Sequence, residues 1–378
     1  MSSKTYKMNI VLFYHSLLSD WNHGNAHFLR GIATELIVRG NEVRIYEPEN
    51  GWSLTNLKEG YGEEVVNEFF EYYPQLQSNF YNSEILDLDQ VLENADLVIV
   101  HEWNEHELVR RIGEKRRRFS FKLLFHDTHH RAATERSSMS AYDLSNYDGV
   151  LAYGDVIRNI YLDQKWVKKA WTWHEAADTR IFKPVANAAA EGDLVWIGNW
   201  GDDERTKELI EFIIEPVKEL QLKAKIYGVR YPDDAKQALA EAGIEYGGWL
   251  PNFKAPEVFA KYKFTVHVPR GPYVRSLPGI PTIRPFEALA CGVPLISSPW
   301  SDSENLFAPG DFAFANNKQE MKEQMQRILS DESYGEALSR SGLDTIRERH
   351  TCMHRVDELY KIFEELGVKN MSQQAIGL

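Results

Sequence analysis

Three arginines, Arg270, Arg275 and Arg284, flank a loop rich in glycine and proline. A guanidinium group donates charge-assisted hydrogen bonds to anions such as phosphates. The cluster therefore predicts an anion site. Arg284 also lies in the stretch PTIRPFEALACGVPLISS (281–298), where it and Glu287 are charges in an otherwise apolar helix pattern. We expect Glu287 near the N-terminal end of that helix, where the helix dipole favours a carboxylate.

A second basic pair, Arg205 and Lys207, stands at the predicted start of another helix. These two side chains have the chemistry to bind a diphosphate. A surface salt bridge is the alternative for an isolated pair. The three arginines near the loop 270–284 strengthen the hypothesis that this pair also binds an anion.

The segment HDTHH (126–130) holds three histidines within five residues. Imidazole nitrogens are common zinc ligands, but this spacing does not match the usual paired ligands on a helix. We expect His126 or Asp127 to be presented at a strand end as polar groups, with hydrogen bonding to the loop backbone as the alternative. The loop 15–27 contains His15 and also Gly24, which lies at a predicted helix N-terminus, a position that favours an anion.

These residues are positioned by short apolar runs that alternate with helix-length segments. Continuous apolar strands alternating with helices predict parallel sheets covered on both faces. In such sheets ligands bind beyond the carboxyl ends of the strands. The predicted strands are 8–15, 41–48, 95–103, 119–127, 147–154 and 169–176, then 193–200, 223–228, 244–250, 264–270 and 293–298.

The alternation breaks near Asp178, in a segment with Pro184 and three consecutive alanines. We predict an α/β fold of two Rossmann-like domains facing across a cleft. They span residues 1–180 and 181–349, and residues 350–378 form a helix that crosses back to the first domain plus a flexible tail after Gly367.

Composition limits the function. The chain has 378 residues and a formal net charge of -13, which argues against general nucleic-acid binding. Its two cysteines form no Cys-x-x-Cys motif, and no apolar run reaches the roughly 20 residues that span a bilayer. We expect a cytoplasmic protein with at most peripheral membrane contact.

The segment RPFEALACGVPLIS (284–297) resembles the glycosyltransferases of GT-B fold, whose second domain carries a similar Glu-Ala-x-Ala-x-Gly-x-Pro helix. The resemblance covers about Met8 to Leu366 in the same domain order. It extends to a narrower group, the CgeB-like, spore-maturation-type branch, through the segments 21–43, 178–184, 194–200, 284–292 and 349–359.

The resemblance implies that Glu287 binds the ribose hydroxyls of a sugar nucleotide. Arg284, one helical turn earlier, is implied as a phosphate contact or as the ion-pair partner of Glu287. His126 stands where related enzymes often place a histidine beside the donor sugar. Many retaining relatives carry a second glutamate where this chain has Gly279, which leaves the sugar and the stereochemical outcome open. The expected donor-binding residues are Gly24, Asn199, Arg205, Lys207, Trp249, Arg270, Arg284 and Glu287.

We therefore expect a metal-independent hexosyl- or pentosyltransferase without a cofactor, using a UDP- or GDP-type sugar donor. The acceptor is a glycan, a small molecule or a protein. If the reaction inverts, Asp127, His126 or His15 supplies the base. A sugar-nucleotide epimerase or hydrolase on the same fold and a non-catalytic sugar-nucleotide-binding module are the alternatives. Aromatic residues of segment 50–90, such as Trp52, Phe69, Phe70, Tyr72 and Tyr73, are equally compatible with a core and with sugar stacking.

Overall fold

The computed structural model describes residues 7–368, which form two compact units. Unit 1 is the chain up to Glu175 together with the residues from Cys352 onward, and unit 2 is Ala176–Thr351. The strands of unit 1 are β1 (Asn9–Phe13), β2 (Glu42–Pro48), β3 (Ser78–Tyr81), β4 (Leu97–His101), β5 (Lys122–Asp127), β6 (Gly149–Ala152) and β7 (Ala170–Thr172). Its helices before unit 2 are α1 (Ala26–Val38), α2 (Trp52–Tyr61), α3 (Phe69–Tyr72), α4 (Leu88–Leu92), α5 (His106–Glu114), α6 (Arg131–Thr134), α7 (Arg136–Ser140) and α8 (Asp155–Asp163).

Unit 2 repeats the same kind of alternation. Its strands are β8 (Gly192–Ile197), β9 (Ala224–Tyr227), β10 (Glu245–Tyr246), β11 (Tyr262–His267), β12 (Leu295–Ser297) and β13 (Ala313–Phe314). Its helices are α9 (Thr206–Leu209), α10 (Glu215–Leu220), α11 (Asp233–Glu241), α12 (Ala255–Phe259), α13 (Gly271–Ser276), α14 (Ile283–Ala290), α15 (Lys318–Ser330) and α16 (Glu332–Arg349). A last helix, α17 (Cys352–Glu365), belongs to unit 1.

Both sheets are parallel, and each reverses its strand order beside its first strand. The order in unit 1 is β3-β2-β1-β4-β5-β6-β7, and in unit 2 it is β10-β9-β8-β11-β12-β13. The central strands are buried apolar runs, as in LVIVH of β4, because helices cover both faces. This confirms the expected α/β fold class of two Rossmann-like sheets.

Each segment expected as a strand overlaps one in the structure. Strands β3 and β13 were not expected, since SNFY is a partly exposed edge strand and β13 has only two residues. The division between units falls at Glu175–Ala176 and again at Thr351–Cys352. The flexible tail was expected after Gly367, and the residues beyond Val368 lie outside the described part of the chain. None of the helices described within residues 7–368 is long and apolar enough to cross a membrane.

Helix α17 packs against α1 within unit 1. Arg39, at the end of α1, pairs with Asp357 at 2.6 Å, and Asn41 donates to the Tyr360 hydroxyl at 2.8 Å. The Trp173 indole donates to the carbonyl oxygen of Arg355 at 2.8 Å. These bonds join the C-terminal helix to both ends of the unit 1 sequence.

We predict that Leu359→Ala lowers the free energy of unfolding by about 2–5 kcal/mol, because Leu359 is fully buried on α17 and truncation leaves a cavity. Met353→Ala is the control, since Met353 is half exposed on the same helix and its loss is expected to cost less than about 0.5 kcal/mol. Urea unfolding of both variants is the measurement. Equal stabilities would contradict the packing of α17 in unit 1.

Candidate functional site

Arg205 lies at the strand-order reversal of unit 2, between β8 and β11. It follows the loop after β8, and its Nη1 donates to the carbonyl oxygen of Val268, just beyond β11, at 2.8 Å. Its Nη2 donates to the carbonyl oxygen of Asn199, just beyond β8. Its guanidinium carbon is also 5.0 Å from the Trp196 ring centroid. Because ligands bind at such reversals in open parallel sheets, Arg205 stands at the predicted ligand edge.

The charges of Arg270 and Arg284 act on Arg205 at this edge. Burial, together with the charges of Arg270 and Arg284, lowers the pKa of Arg205 to about 9. Arg270 is 3.4 Å from Glu204, in the loop that precedes Arg205. Cations that disfavour one another's charge are stabilised when an anion binds between them. The structure thus brings together three of the predicted anion-binding residues.

Glu287 and Arg284 form an ion pair within α14. Glu287 is buried, with 1% of its surface exposed. It is the fifth residue of the eight-residue helix, so our placement of Glu287 at the N-terminal end was wrong. The helix dipole acts mainly in the first turn, and Arg284 replaces it as the nearest stabilising charge.

Thr282, which precedes α14, has φ 68° and ψ 174°. A β-branched residue rarely adopts this conformation, which costs on the order of 1–3 kcal/mol. The strain is located where the chain turns into the helix that carries Arg284 and Glu287. Such strain is common at ligand sites.

Gly279 occupies the position of the second glutamate of many retaining relatives, and the carboxylate of another residue, Glu304, lies beside it. It adopts φ 92°, and a Cβ atom there would lie 2.4 Å from Oε1 of Glu304. Glu304 therefore places its carboxyl group next to the position where many retaining relatives carry their second glutamate. Sequence reasoning could not find this neighbour, because Glu304 lies 25 residues after Gly279 along the chain.

The other expected donor-side residues have different surroundings. The Asn199 side chain accepts a hydrogen bond from the backbone N–H of Val229 at 2.9 Å, which links the loops after β8 and β9. Trp249 is partly buried in the loop after β10, and Lys207 is exposed on α9. Gly24 belongs to unit 1, where it is exposed just before α1.

Sequence reasoning missed His267, at the end of β11. Its Nδ1 is 3.0 Å from the Ser297 hydroxyl at the end of β12. Burial, with the charges of Arg205 and Arg284, lowers its pKa to about 3, so the imidazole is neutral. The available signal was the histidine near the carboxyl end of the predicted strand FTVHV.

The strand-order reversal of unit 1 is surrounded by histidines. His15 follows β1, His101 ends β4 and His126 lies near the end of β5. Nδ1 of His15 is 3.3 Å from Nδ1 of His101, and the His101 and His126 rings are 5.4 Å apart. His23 packs against His15 at 4.0 Å between ring centroids. The described residues contain no group of three or more His, Cys, Asp or Glu arranged to hold a metal ion.

These imidazoles are neutral at physiological pH. Burial and the charge of Arg131 lower the pKa of His15 to about 3, and burial lowers that of His126 to about 3. Burial also lowers the pKa of His101 and His23 well below the usual value, with a further contribution from His15. Unit 1 therefore presents hydrogen-bonding groups without positive charge at its reversal.

The contacts of His101 favour one tautomer of His15. Nδ1 of His101 lies 3.4 Å from the backbone nitrogen of Trp103, which favours the form with the His101 proton on Nε2, directed at Thr128 Oγ1 at 3.0 Å. In this tautomer His15 donates from Nδ1 to His101, and the lone pair of His15 is on Nε2. The amide of Asn25 anchors Thr128 Oγ1 at 2.6 Å.

The other two expected base residues are enclosed. Asp127 accepts from the Tyr161 hydroxyl at 2.8 Å and from the His129 N–H at 3.0 Å, and burial raises its pKa. His126 is buried against the rings of Phe28 and Trp173. His15, which is only partly buried, is the most accessible of the three candidates.

A buried ion pair lies beside the histidines. Arg131 pairs with Glu102, and its guanidinium carbon is 3.8 Å from the centroid of the Trp103 ring. Burial and the proximity of Asp127 raise the pKa of Glu102. Sequence reasoning did not single out His101 or Trp103.

Comparison with known proteins supports the fold. Residues 205–361 match the model of a family described as "Glycosyl transferase-like". No curated protein matches the sequence. The likeness to solved structures extends over nearly the whole chain, with 11–14% identity in the three examples that follow.

One is HepE from Anabaena in complex with UDP and glucose, with a TM-score of 0.68 and 12% identity over 95% of this chain and 100% of that chain. Another is a glycosyltransferase from Rickettsia africae, with a TM-score of 0.68 and 11% identity over 96% of this chain and 100% of that chain. Sucrose-phosphate synthase from Thermosynechococcus elongatus aligns with a TM-score of 0.63 and 14% identity over 96% and 99% of the two chains. At such identity the likeness establishes the shared fold.

We predict that the contribution of His15 and His126 to stability falls as the pH drops below about 6.5. The unfolded chain binds protons on its histidines near pH 6.5, whereas folded His15 and His126 do so only near pH 3, so this contribution is complete above pH 6.5 and is lost toward pH 3. At pH 5 the loss is about 2 kcal/mol for each of these two histidines.

Urea unfolding between pH 8 and pH 5 measures this loss. The variant His126→Phe, which suits the aromatic surroundings of that side chain, is expected to lose about 2 kcal/mol less than the parent over this range. The same pH dependence in the parent and the variant would contradict a neutral, buried His126.

Proposed function

We propose that this glycosyltransferase of GT-B fold transfers a hexosyl or pentosyl group from a UDP- or GDP-type sugar donor to an acceptor hydroxyl. The observation that carries the donor assignment is the convergence of Arg205, Arg270 and Arg284 at the strand-order reversal of unit 2. These cations stabilise the negative charge that develops on a departing diphosphate. HepE, which has this fold, has been solved with UDP-glucose, which supports a nucleotide sugar as donor.

Unit 2 supplies the remaining donor contacts in this proposal. Glu287 accepts the ribose hydroxyls, and Glu304, beside Gly279, accepts a hydroxyl of the donor sugar. We propose a metal-independent reaction without a cofactor, because the arginines supply the positive charge that the diphosphate requires. Asn199, Lys207 and Trp249 remain assigned to the donor side as predictions.

Unit 1 takes the acceptor side. If the reaction inverts the sugar configuration, His15 is the general base, because its Nε2 carries the lone pair in the tautomer that His101 favours. A neutral imidazole is already in the form that accepts a proton. In this proposal the His126 ring packs against the His101 ring and holds it in place. Asp127 holds the loop that follows β5 by accepting the His129 N–H.

The finer assignment within the fold family is also a proposal. We assign the chain to the CgeB-like branch on the segments quoted above, with a cytoplasmic location and at most peripheral membrane contact. Cys291 and Cys352 are each buried, which suits a reducing compartment.

We predict that Arg205→Ala and Arg284→Ala each weaken UDP binding about 10- to 100-fold, because a hydrogen bond to a charged group contributes about 1.5–3 kcal/mol. Calorimetric titration with UDP is the measurement. Lys236→Ala, at an exposed position on α11, is the control and is expected to bind like the parent. If both arginine variants bound UDP as tightly as the parent, the proposed phosphate site would be wrong.

We predict that Glu287→Gln weakens UDP binding about 10- to 100-fold while leaving pyrophosphate binding nearly unchanged, because only UDP has a ribose. The variant also loses its ion pair with Arg284, so thermal unfolding must be followed in parallel. Affinity for UDP equal to that of the parent would remove Glu287 from the site. Equal weakening for both ligands would show that Glu287 acts only through Arg284.

A further inference from the structure

Three tryptophans surround His15 at the carboxyl edge of the unit 1 sheet. Trp52 is 55% exposed and Trp103 is 43% exposed, while Trp21 is partly buried. The Trp21 and Trp52 ring centroids are 5.0 Å apart, and the Trp103 ring centroid is 6.1 Å from that of His15. We call these three residues the tryptophan patch. Phe69 and Tyr73, also candidates for sugar stacking, are instead buried in the core.

The backbone that carries Trp21 and Trp52 is held in place by close and buried contacts. Trp52 begins α2, directly after Gly51, where a Cβ atom would lie 3.3 Å from the carbonyl oxygen of His15. The buried Ser53 hydroxyl donates to the carbonyl oxygen of Trp21 at 2.7 Å and is 2.9 Å from the hydroxyl of Ser19. This close packing fixes Trp21 and Trp52 beside the backbone of His15.

Trp103 is fixed in a different way. The guanidinium of Arg131 covers one face of its ring at 3.8 Å, and the His129 ring lies 5.1 Å away. Arg131 is itself paired with Glu102. The exposed part of Trp103 is therefore a rigid apolar surface beside hydrogen-bonding imidazoles. Large apolar surfaces held rigidly in an exposed position mark binding sites.

The charges near the patch disfavour anionic ligands. The exposed charged residues next to the tryptophans in sequence are Glu49 and Glu105, and the histidines at its centre are neutral. Arg131, the cation on the Trp103 ring, is buried and is neutralised by its ion pair with Glu102. Single-stranded nucleic acids also stack on aromatic rings, but they require a positively charged groove for their phosphates. The patch therefore suits an uncharged ligand that presents flat apolar faces and many hydroxyls.

We propose that the tryptophan patch binds the sugar rings of an uncharged oligosaccharide. The C–H faces of pyranose rings pack on indole rings, and their hydroxyls reach the imidazoles of His15 and its neighbours. The role of this oligosaccharide as the acceptor of the transferred sugar rests on the proposed glycosyltransferase function. The binding itself is measured without turnover.

A microarray of neutral, sulfated and uronic-acid-containing glycans, probed with the full chain at saturating UDP, tests the proposal. We expect neutral oligosaccharides to bind, and Trp52→Ala and Trp103→Ala each to weaken the best of them about tenfold. Trp52→Phe keeps an aromatic face and is expected to recover part of the loss. Tyr61→Ala, at the opposite end of α2 with 46% exposure, is the matched control and is expected to bind like the parent.

Titration of every variant with UDP separates the two proposals. If UDP binds and no glycan does, the acceptor inference falls and the donor assignment stands. The inference also falls if the tryptophan variants bind neutral glycans as the parent does, or if sulfated glycans or single-stranded DNA bind more tightly than neutral glycans. If glycans bind through the tryptophans but UDP does not bind, the proposal of glycan binding by the tryptophan patch is supported and the proposed sugar transfer from a UDP-type donor is wrong.

Discussion

The guanidinium of Arg205 joins the carbonyl oxygens that follow β8 and β11, and the ligand edge of unit 2 depends on this bridge. A parallel sheet leaves a gap at its edge where the strand order reverses, because the connections on the two sides run in opposite directions. Arg205 lies in that gap and uses part of its donor capacity to hold the two loops. Burial and its arginine neighbours lower its pKa, so the same residue that holds the loops favours a bound anion.

Unit 1 has the same topological gap, but the groups around it carry no net positive charge. There the gap is surrounded by imidazoles whose burial keeps them neutral, and the nearby Arg131 is paired with Glu102. The low dielectric around buried groups strengthens the bonds that favour one tautomer of His101 and His15. Two units of one architecture thus present a cationic edge and an uncharged edge, which is a property of their side chains and not of their fold.

The sequence was sufficient for the parts of the fold that depend on periodicity. Buried strands such as β1 and β4 are nearly continuous apolar runs, so their positions follow from the pattern. Edge strands β3 and β13 were not predicted from the sequence, because neither is a continuous apolar run. At the site, the arginines could be predicted from charge and loop composition. The His15–His101 contact and the place of Glu304 beside Gly279 could not, because they arise from register and loop closure between distant segments.

The conformation of Thr282 indicates how unit 2 distributes its stability. A threonine at φ 68° is disfavoured where glycine would be relaxed, so the surrounding contacts must supply the compensating free energy. Those contacts include the buried residues of α14, among them Phe286, Ala288 and Leu289, which fix the helix in the core. A helix fixed so firmly holds Arg284 and Glu287 at set positions before any ligand arrives. Preorganised charges of this kind lose little entropy on binding, which makes the strained start of α14 compatible with a role in stabilising a leaving diphosphate.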